Sequence, residues 1–250
     1  MTWDRLIALA LWFSGPVMQI LLLLQARRRR LWHVCPAFFV YTAFQIVKAA
    51  VLFTVSDPKA YKLYFVAYWT GEVIDVLLVV AVLYQLYSLL FLGYEGLRVL
   101  QDVLFRWATA VCVLIAVTVA ASVPGADSSR LLAGLLAVHV GAAILKAGLI
   151  IFAMVMSSAL ALRWNHYAFG ALVGFALYNT VELAAGAARV NLGMIASGPY
   201  RLISPAAYSC GMLVWVAYFF SKEKEPVPLK SVPENSLAAW NQALLELLTK

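Results

Sequence analysis

Long apolar runs, separated by short polar segments, follow one another along most of the chain. Each run approaches or exceeds the roughly 20 residues that an α-helix needs to cross the hydrocarbon core of a bilayer. The pattern predicts an all-α membrane protein, a bundle of seven transmembrane helices. The predicted spans are residues 4–25, 31–55, 61–91, 104–123, 131–158, 166–188 and 202–220. Because the connecting segments are short, residues 1–220 are predicted to form one transmembrane domain.

The segment after the seventh run differs in composition. Residues 221–235 are charged and contain several prolines, which is typical of a linker. Residues 236–250 are predicted to form a cytoplasmic amphipathic helix with Ser236 or Asn235 as its N-cap. Its apolar face carries Leu237, Trp240, Leu244 and Leu248. Such a helix can lie on the membrane or bind a protein partner, and the sequence leaves both possibilities open.

Composition and charge support the membrane interpretation. The chain is 64% hydrophobic and 12% charged, whereas a soluble domain is usually about 25% charged. The excess of apolar residues predicts the lipid bilayer as the main partner. The net charge of +7 could indicate nucleic acid binding in a soluble protein. Here the basic residues gather at the ends of the apolar runs and no nucleic-acid motif is present, so no such partner is expected.

The distribution of basic residues predicts the orientation. The run "QARRRR" directly follows the first apolar segment, and Lys and Arg are more frequent in the loops on that side. By the positive-inside rule, the N-terminus is predicted outside and the C-terminus in the cytoplasm. Trp32, Trp107 and Trp164 then lie at inner helix ends, as in an aromatic belt. The expected location is a cell membrane, as in a multi-pass protein of a bacterial inner membrane.

Ionisable residues within the spans are the main candidates for function, because a charge in hydrocarbon is costly. Six of them lie away from the span ends: Lys48, Glu72, Asp75, His139, Lys146 and Glu182. Helical spacing places His139 and Lys146 two turns apart on one face. One face of span three carries Tyr61, Tyr64, Tyr68, Glu72 and Asp75. One side of span six carries Gly170, Gly174, Tyr178 and Glu182, with the polar Asn179 beside them. The two glycines are predicted to allow close helix packing.

Counting along each span places five of the six ionisable residues in the outer half, with Lys146 nearer the middle. This predicts a polar pocket that opens outward and binds an unidentified small ligand. Two alternatives remain open. The charges can pair only to hold helices together, or Asp75 and His139 can act as an acid–base pair in catalysis.

The chain lacks the sequence motifs of several known membrane-protein chemistries. The last span has no lysine for retinal, and the zinc motif H-E-x-x-H and the serine motif G-x-S-x-G are absent. His33 and His166 are predicted at the opposite membrane face from His139, so no metal site is expected. The three cysteines lie in apolar segments and are expected to be free thiols: Cys35, Cys112 and Cys210. Nothing identifies an enzyme or a cofactor.

Two segments resemble a known protein family. "VLFRWA" at 103–108 and "LRWNHYAFGALVGFALYNTVEL" at 162–183 are similar to segments of a family of bacterial seven-helix inner-membrane proteins. The family has no assigned function. The resemblance therefore implies a seven-helix fold and assigns no site residue.

The first functional hypothesis is a receptor-like or sensory membrane module, in which a ligand in the outer pocket repacks the helices and the cytoplasmic tail reports the change. A scaffold or accessory subunit of a membrane complex is the first alternative, and a transporter of protons or a small solute is the second. The apolar inner halves of the spans argue against transport.

Overall fold

A computed structural model describes residues 3–55, 61–92, 98–122, 130–160, 162, 164–191 and 200–221. Across this described part of the chain the fold is helical, with seven long helices and no β-strand. The helices are α1 (Trp3–Arg28), α2 (Pro36–Thr54), α3 (Tyr61–Leu90), α4 (Arg98–Ser122), α5 (Arg130–Ala159), α6 (His166–Asn191) and α7 (Tyr200–Phe220). The amphipathic helix predicted at 236–250 and most of the linker lie outside the described residues.

The helices run alternately up and down, and hydrogen bonds tie one end of the bundle together. Arg29, just after α1, donates from its guanidinium to the carbonyl oxygens of Phe220 (3.0 Å) and Ser221 (2.8 Å) at the end of α7. His166, the first residue of α6, lies 2.6 Å from the Ser221 hydroxyl. We call this end, where α1, α3, α5 and α7 finish, the arginine-rich end.

Local residue chemistry explains where the helices begin. Arg30 adopts a left-handed backbone conformation (φ 54°), so α1 cannot continue. Pro36 then occupies the first turn of α2, where its missing N–H costs nothing, so the helix of the predicted span 31–55 begins later than the apolar run. Asn165 caps α6 by accepting a hydrogen bond from the backbone N–H of Tyr167 (2.9 Å). α4 begins at Arg98, ahead of the predicted span 104–123.

Six helices of the described chain, α2 to α7, are long and apolar enough to cross a membrane. Large apolar side chains cover the surface; Val99 and Trp107 on α4 are 77% and 69% exposed. Lipid is the solvent that suits such a surface. The fold is that of a polytopic membrane protein, which confirms the prediction of an all-helical membrane bundle.

The buried core near the arginine-rich end consists largely of aromatic rings. Phe38 of α2 stacks on Phe219 (centroids 4.9 Å apart) and meets Trp215 edge-on (5.1 Å). Trp215 donates its indole N–H to the carbonyl oxygen of Ala171 (2.9 Å), which ties α7 to α6. Such paired rings pack densely, so this half of the bundle is well filled.

Small residues let α6 and α7 approach each other closely. A Cβ placed on Gly170 would overlap the ring of Tyr218, and one placed on Gly174 would overlap the indole of Trp215. A Cβ on Gly211 of α7 would lie 3.0 Å from the backbone oxygen of Gly174. The absence of a side chain at these positions therefore decides how near the two helices can come.

Candidate functional site

The six ionisable residues of the spans come together between α2, α3, α5 and α6. We call them the polar cluster: Lys48, Glu72, Asp75, His139, Lys146 and Glu182. All six lie between about the middle of their helices and the end of the bundle that is opposite the arginine-rich end. Four helices thus meet at one group of charges in the half of the bundle away from the aromatic core.

Lys48 and Glu72 form the tightest pair of the cluster. The Lys48 ammonium lies 2.8 Å from the Glu72 carboxylate and joins α2 to α3. The side chain of Lys48 is 12% exposed and that of Glu72 is 26% exposed. A Cβ on Gly71 would lie 3.2 Å from Lys48 Cε, so the lysine chain lies along the α3 backbone there. Gln45 of α2 adds a second link by donating its amide to Asp75.

Glu182 is the meeting point of α5 and α6. Its Oε1 accepts a hydrogen bond from the Tyr178 hydroxyl (3.0 Å) and lies 3.4 Å from His139 Nε2. Its Oε2 lies 3.5 Å from the Lys146 ammonium. Glu182 and Lys146 are both about nine-tenths buried. The carboxylate therefore holds two side chains of α5 from one position on α6.

Lys146 is held less completely than Lys48. Its nitrogen is 3.5 Å from Glu182 and 3.9 Å from Asp75, whereas a direct N–H···O bond is about 2.7–3.2 Å long. Glu182 Oε2 is buried and has no hydrogen-bond partner within the described structure. The charges attract one another, yet the ammonium donors and this oxygen keep capacity for a further polar group.

Three more predicted site residues surround the cluster. Asn179 is buried on α6 and donates its amide to the carbonyl oxygen of Ala143 on α5 (3.2 Å). Tyr178 contacts Glu182, as described above. Tyr68 lies one turn before Glu72, and its ring contacts the rings of Tyr64 (6.3 Å) and Trp69 (5.5 Å). Tyr68 thus belongs to an aromatic group on α3 beside the charges.

The acid–base pair considered for catalysis has a different arrangement in the structure. His139 pairs with Glu182, whereas Asp75 accepts from Gln45 and faces Lys146. Among the described residues, no three His, Cys, Asp or Glu side chains are grouped as metal ligands. The cluster contains three carboxylates, two ammonium groups and one imidazole, so its net charge is −1 with a neutral His139 and zero with a protonated one.

A cavity of about 360 Å³ adjoins the polar cluster between α3, α4 and α5. Glu72, His139 and Lys146 line it on one side. The rest of its lining is apolar and includes Val73, Leu77, Val113, Val117 and Ala142. A concave, mostly apolar site with a few convergent polar groups is the usual form of a small-molecule site.

Some polar contacts were not anticipated from the sequence. Gln45 was overlooked, although it lies one turn from Lys48 on the same face of α2. A second polar group joins α1 to α7, where Gln19 donates to the Tyr208 hydroxyl and the hydroxyls of Ser14 and Ser209 are 3.0 Å apart. The signal for Gln19 was present, since it interrupts an apolar run.

Comparisons with protein-family models, with curated proteins and with solved structures found no match for this chain. This result is consistent with the resemblance to a family that has no assigned function. The site therefore defines the class by itself: a polytopic membrane protein with a partly buried cluster of charges beside a cavity.

Proposed function

We propose that this chain is a receptor-like or sensory membrane module whose polar cluster and adjoining cavity bind a small ligand. In this proposal all seven helices span a bacterial inner membrane, with the N-terminus outside and the C-terminus in the cytoplasm. The cluster then lies in the outer half of the bundle. The observation that carries the proposal is Lys146, a buried ammonium held by two carboxylates beyond hydrogen-bond distance and facing a cavity.

A ligand at this position would change how the helices are held together. A group that accepts a hydrogen bond from Lys146 competes with Glu182 on α6 and Asp75 on α3. Binding therefore has a different free energy in arrangements that differ in the spacing of these helices. Such a difference is the physical requirement for a ligand to shift a conformational equilibrium.

The packing provides a path from the cluster to the arginine-rich end. Tyr87 of α3 contacts Phe105 of α4 (5.6 Å) and Phe152 of α5 (5.3 Å) near that end. A displacement of α3 against α5 at the cluster would change this three-helix contact. The predicted amphipathic helix at 236–250 would carry the signal to a partner in the cytoplasm.

The experiment measures helix positions at the arginine-rich end when the cluster is changed. Spin labels at Leu92→Cys and Leu160→Cys, on exposed positions after α3 and α5, report their separation in nanodiscs. The three native cysteines are replaced by alanine. Glu182→Gln, which removes one charge from the cluster, is expected to shift or broaden the distance distribution.

Gly186→Ala is the matched control, because it lies on the same helix one turn from Glu182 and has room for a methyl group. It should leave the distribution unchanged. If Glu182→Gln lowers the melting temperature but leaves the distances as they were, the cluster only holds helices together and the proposed function is wrong.

The structure favours a transporter less, because of the apolar core described next. Between the cluster and the arginine-rich end the core is filled by apolar rings, among them Phe38, Phe175 and Trp215, which contact one another. A proton or solute route would need polar groups or water through this layer.

A further inference from the structure

The cavity beside the polar cluster opens sideways, toward lipid. Near the arginine-rich end α3 and α4 touch, with the rings of Tyr84 and Phe105 5.2 Å apart and the Tyr84 hydroxyl 2.9 Å from Asp102. Further from that end the cavity lies between the two helices, and α5 forms its floor. We call this opening the lateral cleft.

The rim of the lateral cleft is apolar and belongs to the outer surface of the bundle. Leu77 of α3 is 64% exposed and Val117 of α4 is 60% exposed, and both line the cavity. Side chains at this position on membrane-spanning helices face hydrocarbon. A molecule dissolved in the bilayer can therefore reach the cavity without crossing water.

The polar side of the lateral cleft is electrically balanced. The ionisable groups that line it are one carboxylate (Glu72), one ammonium (Lys146) and one imidazole (His139). With a neutral imidazole their charges cancel. An anionic head group would be repelled by Glu72 and by the further carboxylates behind it. A cationic head group would be repelled by Lys146. An uncharged head group avoids both repulsions.

An uncharged hydroxyl or amide fits the hydrogen-bonding capacity of these groups. Its oxygen can accept from the Lys146 ammonium, whose two carboxylate neighbours are at 3.5 and 3.9 Å. Its own proton can be donated to the Glu72 carboxylate, which lines the same cavity. Each hydrogen bond to a charged partner is stronger than one between neutral groups.

We propose that the lateral cleft binds an uncharged single-chain amphiphile of the membrane, with its hydroxyl or amide head group at Lys146 and its chain between α3 and α4. A cavity of about 360 Å³ is at the small end of the range for ligand sites, which suits one chain and not two. The inference deepens the proposed function and rests on it, because it names the class of ligand and its route.

The test uses a photoactivatable long-chain alcohol as the probe, with the full chain reconstituted in phosphatidylcholine nanodiscs. Crosslinks mapped by mass spectrometry are expected on α3, α4 and α5 at the cleft. Unlabelled hexadecanol should compete at least about tenfold better than hexadecane, as expected for a hydrogen bond to a charged donor. Crosslinks spread evenly over all lipid-facing helices would mean ordinary lipid contact and would overturn the proposal.

Hexadecanoic acid and hexadecylamine test the head group. If either competes better than hexadecanol, the uncharged head group is wrong. Lys146→Met should remove the preference for the alcohol over the alkane. Because that variant can lose stability, a second one fills the cleft instead: Ala142→Phe on the floor should abolish cleft crosslinking. Ala217→Phe, at an exposed alanine of α7 away from the cavity, is the matched control and should crosslink like the unaltered protein.

This experiment and the spin-label experiment fail separately. If the unaltered protein shows no crosslinks at the cleft but Glu182→Gln shifts the distances, the sensory module stands and the amphiphile is rejected. Cleft crosslinking that Ala142→Phe does not reduce would place the probe elsewhere and reject the lateral cleft as its site.

Discussion

At the scale of single residues, Lys146 is the side chain on which the charge balance of the bundle depends. Among the described residues, only the Lys146 ammonium lies within ion-pair distance of both Asp75 and Glu182. Lys48 has one close carboxylate, Glu72, whose side chain is partly exposed. The two lysines therefore contribute differently, although the sequence presents both simply as charges within spans.

We predict that Lys146→Met destabilises the protein by about 3–5 kcal/mol, because removing one member of a buried ion pair leaves its partners uncompensated. Lys48→Met should cost less, since Glu72 can reach a more polar environment. The double variant Lys146→Met/Glu182→Gln should recover part of the loss by removing one orphaned charge. Thermal unfolding in nanodiscs measures all three. Equal losses for the two lysines would contradict this account.

Cys35 offers a residue-scale test of burial at the residue that precedes α2, the candidate span Pro36–Thr54. It is fully buried at the start of α2, and burial raises the pKa of its thiol to about 12. The thiolate, which is the reactive form, is then scarce at neutral pH and becomes common only in strongly alkaline solution.

We predict that N-ethylmaleimide labels Cys35 in the folded protein far more slowly than in the unfolded one. The measurement uses a variant that keeps Cys35 as its single cysteine. A variant without the three native cysteines that carries Leu92→Cys, at an exposed position after α3, is the comparison and should change less on unfolding. Rapid labelling of Cys35 in the folded state would show that the start of α2 is open.

At the scale of elements, the contact between α6 and α7 shows how small residues set helix distance. Within the described part of the chain these two helices form the most extensive contact between elements, and Gly174 lies under the Trp215 indole. The same indole donates to Ala171, so its position is held by a hydrogen bond as well as by packing.

We predict that Gly174→Ala destabilises the protein by about 1–3 kcal/mol, because the new methyl group forces the indole away from its hydrogen bond. Gly186→Ala on the same helix is the control. There the nearest atom to an added Cβ is 3.8 Å away, so the higher helix propensity of alanine should make it neutral or slightly stabilising. The measurement is the melting temperature of each variant compared with that of the unaltered protein. A stable Gly174→Ala variant would mean that α7 can shift without cost.

At the scale of the whole molecule, the arginine run combines a role predicted from the sequence with one seen in the structure. As a group, Arg27, Arg28, Arg29 and Arg30 are predicted to orient the chain in the membrane. Arg29 also donates to the last carbonyls of α7, where a cation is favoured by the helix dipole. The sequence suggested the first role, and the second follows from the return of α7 to the end of α1.

The two roles can be separated by variants. Replacing Arg27, Arg28 and Arg30 by alanine while keeping Arg29 is expected to produce a mixture of orientations. The readout is the fluorescence of a protein fused to the C-terminus, because the fused protein folds only in the cytoplasm. Arg29→Ala alone should keep the orientation and lower the melting temperature slightly. Full fluorescence from the triple variant would show that other residues set the topology.

The sequence by itself determined the class of protein and its helical content. Runs of apolar residues at this length leave helices as the way to satisfy every backbone hydrogen bond in lipid, so the all-helical membrane bundle could be predicted. The seventh span and the orientation of the termini stay predictions. The sequence also singled out the ionisable residues, because charges in an apolar run are conspicuous whatever their partners are.

Only the tertiary structure decided how those residues meet. Partners such as Lys146 and Glu182 are far apart in the chain, and a small rotation of either helix would separate them. Helix rotation depends on packing, for example on the glycines under Tyr218 and Trp215, and periodicity alone does not give it. The pairing of His139 with Glu182, the role of Gln45 and the lateral cleft all follow from that packing, which is a property of neighbouring helices together and not of any one of them.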